Sequence, residues 1–171
     1  MNLDDLPPAE LMWEGKFVRA MKRDRWEYAS RTRGIRAVVI LAEHEGKVIL
    51  VEQPRVPTDC RCIELPAGLV GDHDPDATVE ETAVKELEEE TGFTADRVER
   101  LGEFFASPGM LSEGFTLVRA HGVRKVGEGG GDEHEDIVVH LVPRADIPNF
   151  IEQRRAEGLG IDAKLLLLLN Y

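Results

Sequence analysis

Apolar and polar positions change period along the chain, and those changes mark its elements. Residues 17–21 (FVRAM) and 25–29 (RWEYA) are short runs interleaved with charges, joined by the polar stretch Lys22-Arg23-Asp24. This predicts two strands and a turn. Residues 35–42 (IRAVVILA) are almost wholly apolar and β-branched, the pattern of a strand covered on both faces. A turn at 44–47 leads to a returning strand at 48–53 (VILVEQ), and a short strand at 61–65 ends in Pro66-Ala67-Gly68. From 78 to 91 the period becomes four, with Val79, Ala83 and Leu87 in one stripe, which predicts a helix capped by Gly92 in the left-handed conformation. Strand patterns resume at 98–105, 116–121 and 137–142, and residues 147–157 and 162–170 predict two closing helices. Residues 126–136 (VGEGGGDEHED) are glycine-rich and acidic, hence a mobile loop. Strands, a helix, strands and helices in that order point to an α+β fold in one domain spanning 1–171.

Charge and cysteine usage narrow the classes. The chain has 171 residues and a formal net charge of -12, from 33 acidic and 21 basic residues. It therefore lacks the basic face that non-specific nucleic-acid binding requires. The run 165–169 is too short to span a bilayer, so no membrane partner is expected. Two cysteines, Cys60 and Cys62, stand two apart and read as a structural pair; with no signal-peptide pattern, the chain is expected in a reducing cytoplasm.

Six of the eleven residues from 80 to 90 are glutamates. Glu86 and Glu90 are at i, i+4 and Glu86 and Glu89 at i, i+3, so the three share one face. Such a face is either a solvated surface or a site for hard cations such as Mg2+, and spacing alone does not choose. The flanking sequence does. Lys85-Glu86-Leu87-Glu88-Glu89-Glu90-Thr91-Gly92-Phe93, preceded by Glu64-Leu65-Pro66-Ala67-Gly68-Leu69, resembles the Nudix family box G-x5-E-x7-R-E-U-x-E-E-x-G-U, where U is apolar. Glu86, Leu87, Glu89, Glu90, Gly92 and Phe93 match directly, and Lys85 replaces arginine by charge. The first half departs: strict counting puts the box glutamate on Ala77 and the box glycine on Gly71. Alternatively Gly68 is the glycine and three residues are inserted before the helix, the reading favoured by the local form of 66–69.

The resemblance implies a Nudix fold, a mixed β-sheet sandwiched between helices, and a Mg2+-dependent hydrolase, with Mn2+ as an alternative ion. It implies Glu86 and Glu90 as metal ligands with the Ala67 carbonyl, and Glu89 as a ligand or a supporting catalytic group. Cations gathered by these glutamates would let an acidic protein hold an anionic substrate. Pro108, sixteen residues beyond Gly92 in a segment Ser107-Pro108-Gly109 running to Glu113, is similar to the ADP-ribose pyrophosphatase branch. There Arg55 and Glu64 would also meet substrate. The N-terminal strands (1–33) resemble those exchanged in dimers of that branch, with Phe17 and Trp26 sandwiching the base, Glu27 accepting from its amine and Arg31 nearby; 34–171 would be the catalytic core. In the acidic loop Glu133 is expected to be the general base and Glu135 to be linked to the metal. The expected reaction is hydrolysis of ADP-ribose to AMP and ribose 5-phosphate by a homodimer. GDP-mannose or UDP-glucose is the rival substrate, and a non-catalytic nucleotide-binding module the rival class.

Overall fold

The structure, a computed structural model, describes residues 2–72, 74–169 and 171. Its strands are β1 (Glu10–Glu14), β2 (Val18–Arg23), β3 (Trp26–Arg31), β4 (Arg36–Leu41), β5 (Glu43–His44), β6 (Lys47–Arg55), β7 (Cys60–Glu64) and β8 (Ala67–Val70). Helix α1 (Val79–Thr91) follows, then β9 (Phe93–Thr94), β10 (Arg97–Phe105), β11 (Gly114–His121), β12 (Arg124–Lys125), β13 (Val138–Pro143), helix α2 (Ile147–Ala156) and β14 (Gly160–Ile161). The α+β expectation is met.

One mixed sheet has the order β10-β11-β4-β8, with β11 parallel to β4 and the other pairs antiparallel. A second runs β13-β6-β7-β14, with β5 attached to β6. β4 explains the all-apolar run at 35–42. Val38, Ile40 and Ala42 face α1 through Ala83 and Leu87, while Val39 and Leu41 pack with Ile147 and Leu165 on the other side. Alternation is hidden because both faces are buried. Two layers of core, one under each helix, thus flank one strand.

Thr78 caps α1 in a capping box: its hydroxyl accepts from the Glu81 N–H at 3.2 Å, and the Glu81 carboxylate accepts from the Thr78 N–H at 2.9 Å. Gly92 ends the helix with φ 72°, as expected of a left-handed cap.

Four expectations are corrected. The hairpin of β2 and β3 turns at Asp24, whose φ is 55°, so Arg23 belongs to the strand. β1 carried no clear strand signal, yet pairs with β2. Pro66-Ala67-Gly68 is not a simple turn: from Ala67 the chain continues as β8 against β4. The last segment forms 3-10 turns at Ala163–Leu169 rather than an α-helix, and the expected final residue, Asn170, lies outside the described residues.

Candidate active site

The glutamate-rich helix packs on β8, the loop after β12 bonds to its C-terminal end, and beside them opens a cleft of about 770 Å³. Glu90 is only 4% exposed, and its carboxylate accepts from the Ala67 N–H at 3.1 Å. Burial pushes its pKa up to about 8; the Ala67 N–H opposes that shift, and the neighbouring Glu86 and Glu135 add to it. Gly68 lies directly under Glu86: a Cβ at 68 would fall 2.2 Å from the Glu86 carboxyl carbon. At Gly71 the nearest atom would be 3.9 Å away. Gly71 has φ 86°, so glycine is favoured there by its backbone, whereas Gly68 is the glycine in contact with the helix glutamate, as the inserted reading of the box expects.

Arg55 reaches from the end of β6 to Glu64 on β7 and donates twice, Nε to Oε1 at 2.6 Å and Nη2 to Oε2 at 2.8 Å. Glu64 is 5% exposed, so the pair lies in the cleft wall; the bond to Glu64 holds the Arg55 guanidinium above its ordinary pKa. Arg31 pairs with Glu113, and both line the same cleft. Lys164, paired with Asp162, and the buried Gln53 also line it, although the chain pattern did not mark them.

The loop after β12 is fixed at both ends. Gly130 and Gly131 N–H groups donate to the Glu90 and Glu89 carbonyls at 2.9 and 3.0 Å, satisfying the otherwise orphaned end of α1. A Cβ at Gly129 would lie 2.3 Å from the Thr91 carbonyl carbon, so only glycine permits this contact. The glycine run, read as conformational freedom, is a seal between loop and helix. At the other end Arg61 grips Asp136, donating to its carboxylate at 2.6 Å and its carbonyl at 3.1 Å, while its Nε binds Glu52 at 2.6 Å. Burial alone would raise the Glu52 carboxyl, but Arg61 and His140 together hold it below its usual range.

Between these anchors Glu135 and Glu133 part company. Glu135 lines the cleft, its carboxylate accepting from the Asp132 N–H at 3.1 Å and lying over Gly131. Glu133 is 88% exposed and does not line the cleft. Being two apart does not put both on one side, because the loop is turned rather than extended.

The structure thus brings together Arg31, Arg55, Glu64, Ala67, Glu86, Glu89, Glu90, Glu113 and Glu135, and leaves Phe17, Trp26, Glu27, Pro108 and Glu133 off the cleft wall. Pro108 belongs instead to the turn that ties β3 to the core, through backbone bonds between Ala29 and Met110 and Ser112. Phe17 and Trp26 lie far apart within one chain. Arg23 faces Trp26 at one end of the hairpin, and Phe17 meets Thr32 at the other. Six strand steps separate them, roughly 20 Å. One chain cannot close both rings on one base.

Among the described residues no three His, Cys, Asp or Glu side chains converge tightly enough to hold a metal unaided. Two features still fit a divalent cation here: a desolvated carboxylate at Glu90, and a glycine notch that seats Glu86. All the donors are hard oxygens, as Mg2+ prefers. Gly68→Ala is expected to displace Glu86 and weaken divalent-cation affinity by about 10–100-fold, measured by calorimetric titration.

Known proteins bear directly on this arrangement. Residues 31–159 match the family described as NUDIX domain. The chain is 36% identical over 138 residues to an ADP-ribose pyrophosphatase of Bacillus subtilis (strain 168), covering 79% of this chain and 70% of that protein. It is 34% identical over 167 residues to a GDP-mannose pyrophosphatase of Cronobacter sakazakii (strain ATCC BAA-894), covering 92% and 80%. A solved structure described as an ADP compounds hydrolase shares the fold, with a TM-score of 0.68 at 24% identity over 86% of this chain and 82% of that one. The helix that presents Glu86 and Glu90 falls inside the matched span, and the chain belongs to the Nudix family of hydrolases.

Proposed function

We propose that the chain hydrolyses the pyrophosphate bond of a nucleoside diphosphate sugar, with ADP-ribose as the substrate and AMP and ribose 5-phosphate as products. The observation that carries this reading is the placement of Glu86 and the buried Glu90 in one cleft with Arg55, Arg31 and Glu135. Glu86, Glu90 and the Ala67 carbonyl would hold Mg2+, or Mn2+, with Glu89 beside them. When bound, the cation polarises the phosphoryl oxygens and neutralises their charge. The chain's residues do the rest. With Nε and Nη2 engaged by Glu64, Arg55 offers its remaining guanidinium hydrogens to a phosphate or ribose oxygen in a fixed orientation. Arg31 and Lys164 supply further positive charge in an otherwise acidic cleft. We assign the general base to Glu135 in place of Glu133, because its carboxylate lies in the cleft beside Glu90.

A second reading, GDP-mannose as substrate, is supported by the relative whose similarity extends over 92% of the chain, including N-terminal strands. A panel of ADP-ribose, GDP-mannose and UDP-glucose, each followed by nucleotide product formation, tests the choice. ADP-ribose is expected to give the highest kcat/KM; GDP-mannose turned over well above it would overturn the first reading.

Homodimerisation belongs to the same proposal. Leu11, Met12, Trp13, Phe17 and Trp26 are each more than two-fifths exposed on the β1-β2-β3 sheet, a dense set of large apolar side chains. A base sandwiched by Phe17 of one copy and Trp26 of another would satisfy the distance that one chain cannot. Arg61 is expected to act by holding the loop: Arg61→Ala should lower kcat by about tenfold or more with KM little changed, as read from steady-state kinetics.

A further inference from the structure

Cys60 and Cys62 are both free thiols, and their sulfurs meet where Cys62 lines the cleft. They are two apart on β7, and their sulfurs are 3.9 Å from each other. The Thr58 hydroxyl oxygen lies 3.5 Å from each. Gly160 faces Cys62 across the parallel pairing of β14 and β7. A Cβ at 160 would fall 2.6 Å from the Cys62 sulfur and 3.0 Å from that of Cys60, so this glycine leaves the notch in which both sulfurs fit. Cys62, Thr58 and Gly160 all line the cleft, and Cys60 is partly exposed.

The strand decides what such a pair can do. Same-face Cα atoms two residues apart are separated by about 6.6 Å, at the long end of the roughly 4.4–6.8 Å that disulfides span. β7 is held on one edge by β6 and on the other by β14. Bringing the sulfurs to bonding distance would have to shift Cys62, which is braced on both edges, or bend β7 at Cys60, which β6 holds on one edge. A single larger atom bonded to both sulfurs makes no such demand. Reactivity points the same way: the contacts with Thr58 and Cys62 hold the Cys60 thiol below its ordinary pKa, while burial raises that of Cys62.

We propose that Cys60 and Cys62 form a two-thiol clamp for a thiophilic centre of the trivalent arsenical class, set in the wall of the active-site cleft. With an organic arsenous oxide the step is a condensation. Two As–S bonds form, the arsenic–oxygen bond breaks, and the two thiol protons leave on that oxygen as one water. Arsenic stays trivalent, so no oxidant or reductant takes part. The organic arm would project past Thr58 and Gly160 into the cleft.

The test is native mass spectrometry of the full chain with equimolar phenylarsine oxide. One adduct per chain is expected, heavier by the reagent less one water, stable to excess glutathione and released by 2,3-dimercaptopropanol. Cys60→Ser and Cys62→Ser should each lose the glutathione-stable adduct. Cys60 is the less buried, so its variant carries the test if the other fails to fold, with a thermal melt reporting folding. No adduct on the wild type, two adducts per chain, or a stable adduct on folded Cys60→Ser would overturn the clamp. Binding is read by mass whether or not the substrate reading holds. Loss of pyrophosphatase turnover should accompany the adduct; an adduct with unchanged turnover would overturn its placement in the working cleft.

Discussion

Glu90→Gln should abolish divalent-cation-dependent turnover, with a fall in kcat of at least about 10²–10³-fold, and Glu86→Gln should do the same. The two variants are expected to differ in stability. Glu90 is buried with its pKa pushed up to about 8, against an ordinary carboxylate value near 4.5. Between those two values the unfolded chain has released its proton and the folded chain retains it. The contribution of Glu90 to the stability of the metal-free protein is therefore full below about pH 4.5 and is lost as pH rises towards 8, by an amount on the order of a few kcal/mol. Glutamine removes the charge, so metal-free Glu90→Gln should melt higher than the wild type at pH 8 and show a flatter pH profile. Added Mg2+ should raise the wild-type melting temperature and leave this variant's unchanged. Thermal melts with EDTA and with Mg2+ across pH 5–8 measure all of this. Full turnover in both glutamine variants would remove the metal-site assignment.

The second large effect concerns the acidic loop. Glu135→Gln should lower kcat by about 10²–10⁴-fold, because the side chain lining the cleft loses its ability to take a proton. Glu133→Gln should stay near wild type, since that carboxylate stands in solvent. The two substitutions remove the same charge two residues apart, so general electrostatics cannot separate them; geometry does. Steady-state kinetics at saturating Mg2+ read the difference; equal losses would overturn the assignment to Glu135, and a larger loss in Glu133→Gln would return it to Glu133.

What the chain pattern disclosed follows from whether a signal was local. The stripe of Val79, Ala83 and Leu87 with Gly92 after it carried the helix, because capping and amphipathicity are written within a few turns. The run 35–42 showed β4 for the opposite reason: burial on both faces left no polar position to break it. β8 was masked by Pro66-Ala67-Gly68, whose turn chemistry is overruled by pairing of Ala67 and Gly68 with Val39 and Val38. At the site, the i, i+4 spacing and the box disclosed Glu86 and Glu90. Arg61 was invisible because its partner Asp136 is 75 residues away and no spacing rule links them. Glu133 and Glu135 were indistinguishable for want of a period: in a turned loop, parity carries no direction.

The loop's two anchors also bound how far it can travel. With Gly131 bonded to α1 and Asp136 bonded to Arg61, only residues 132–135 lie between fixed points. Four residues have a contour of about 14 Å at full extension, and with both ends tied the tip can move through only a fraction of that. On the proposed reading, such a tether serves the phosphates held in the cleft and nothing beyond. Discrimination between one nucleobase and another is therefore expected to come from residues outside this loop, and swapping loop sequences between relatives should change rate without changing which base is accepted.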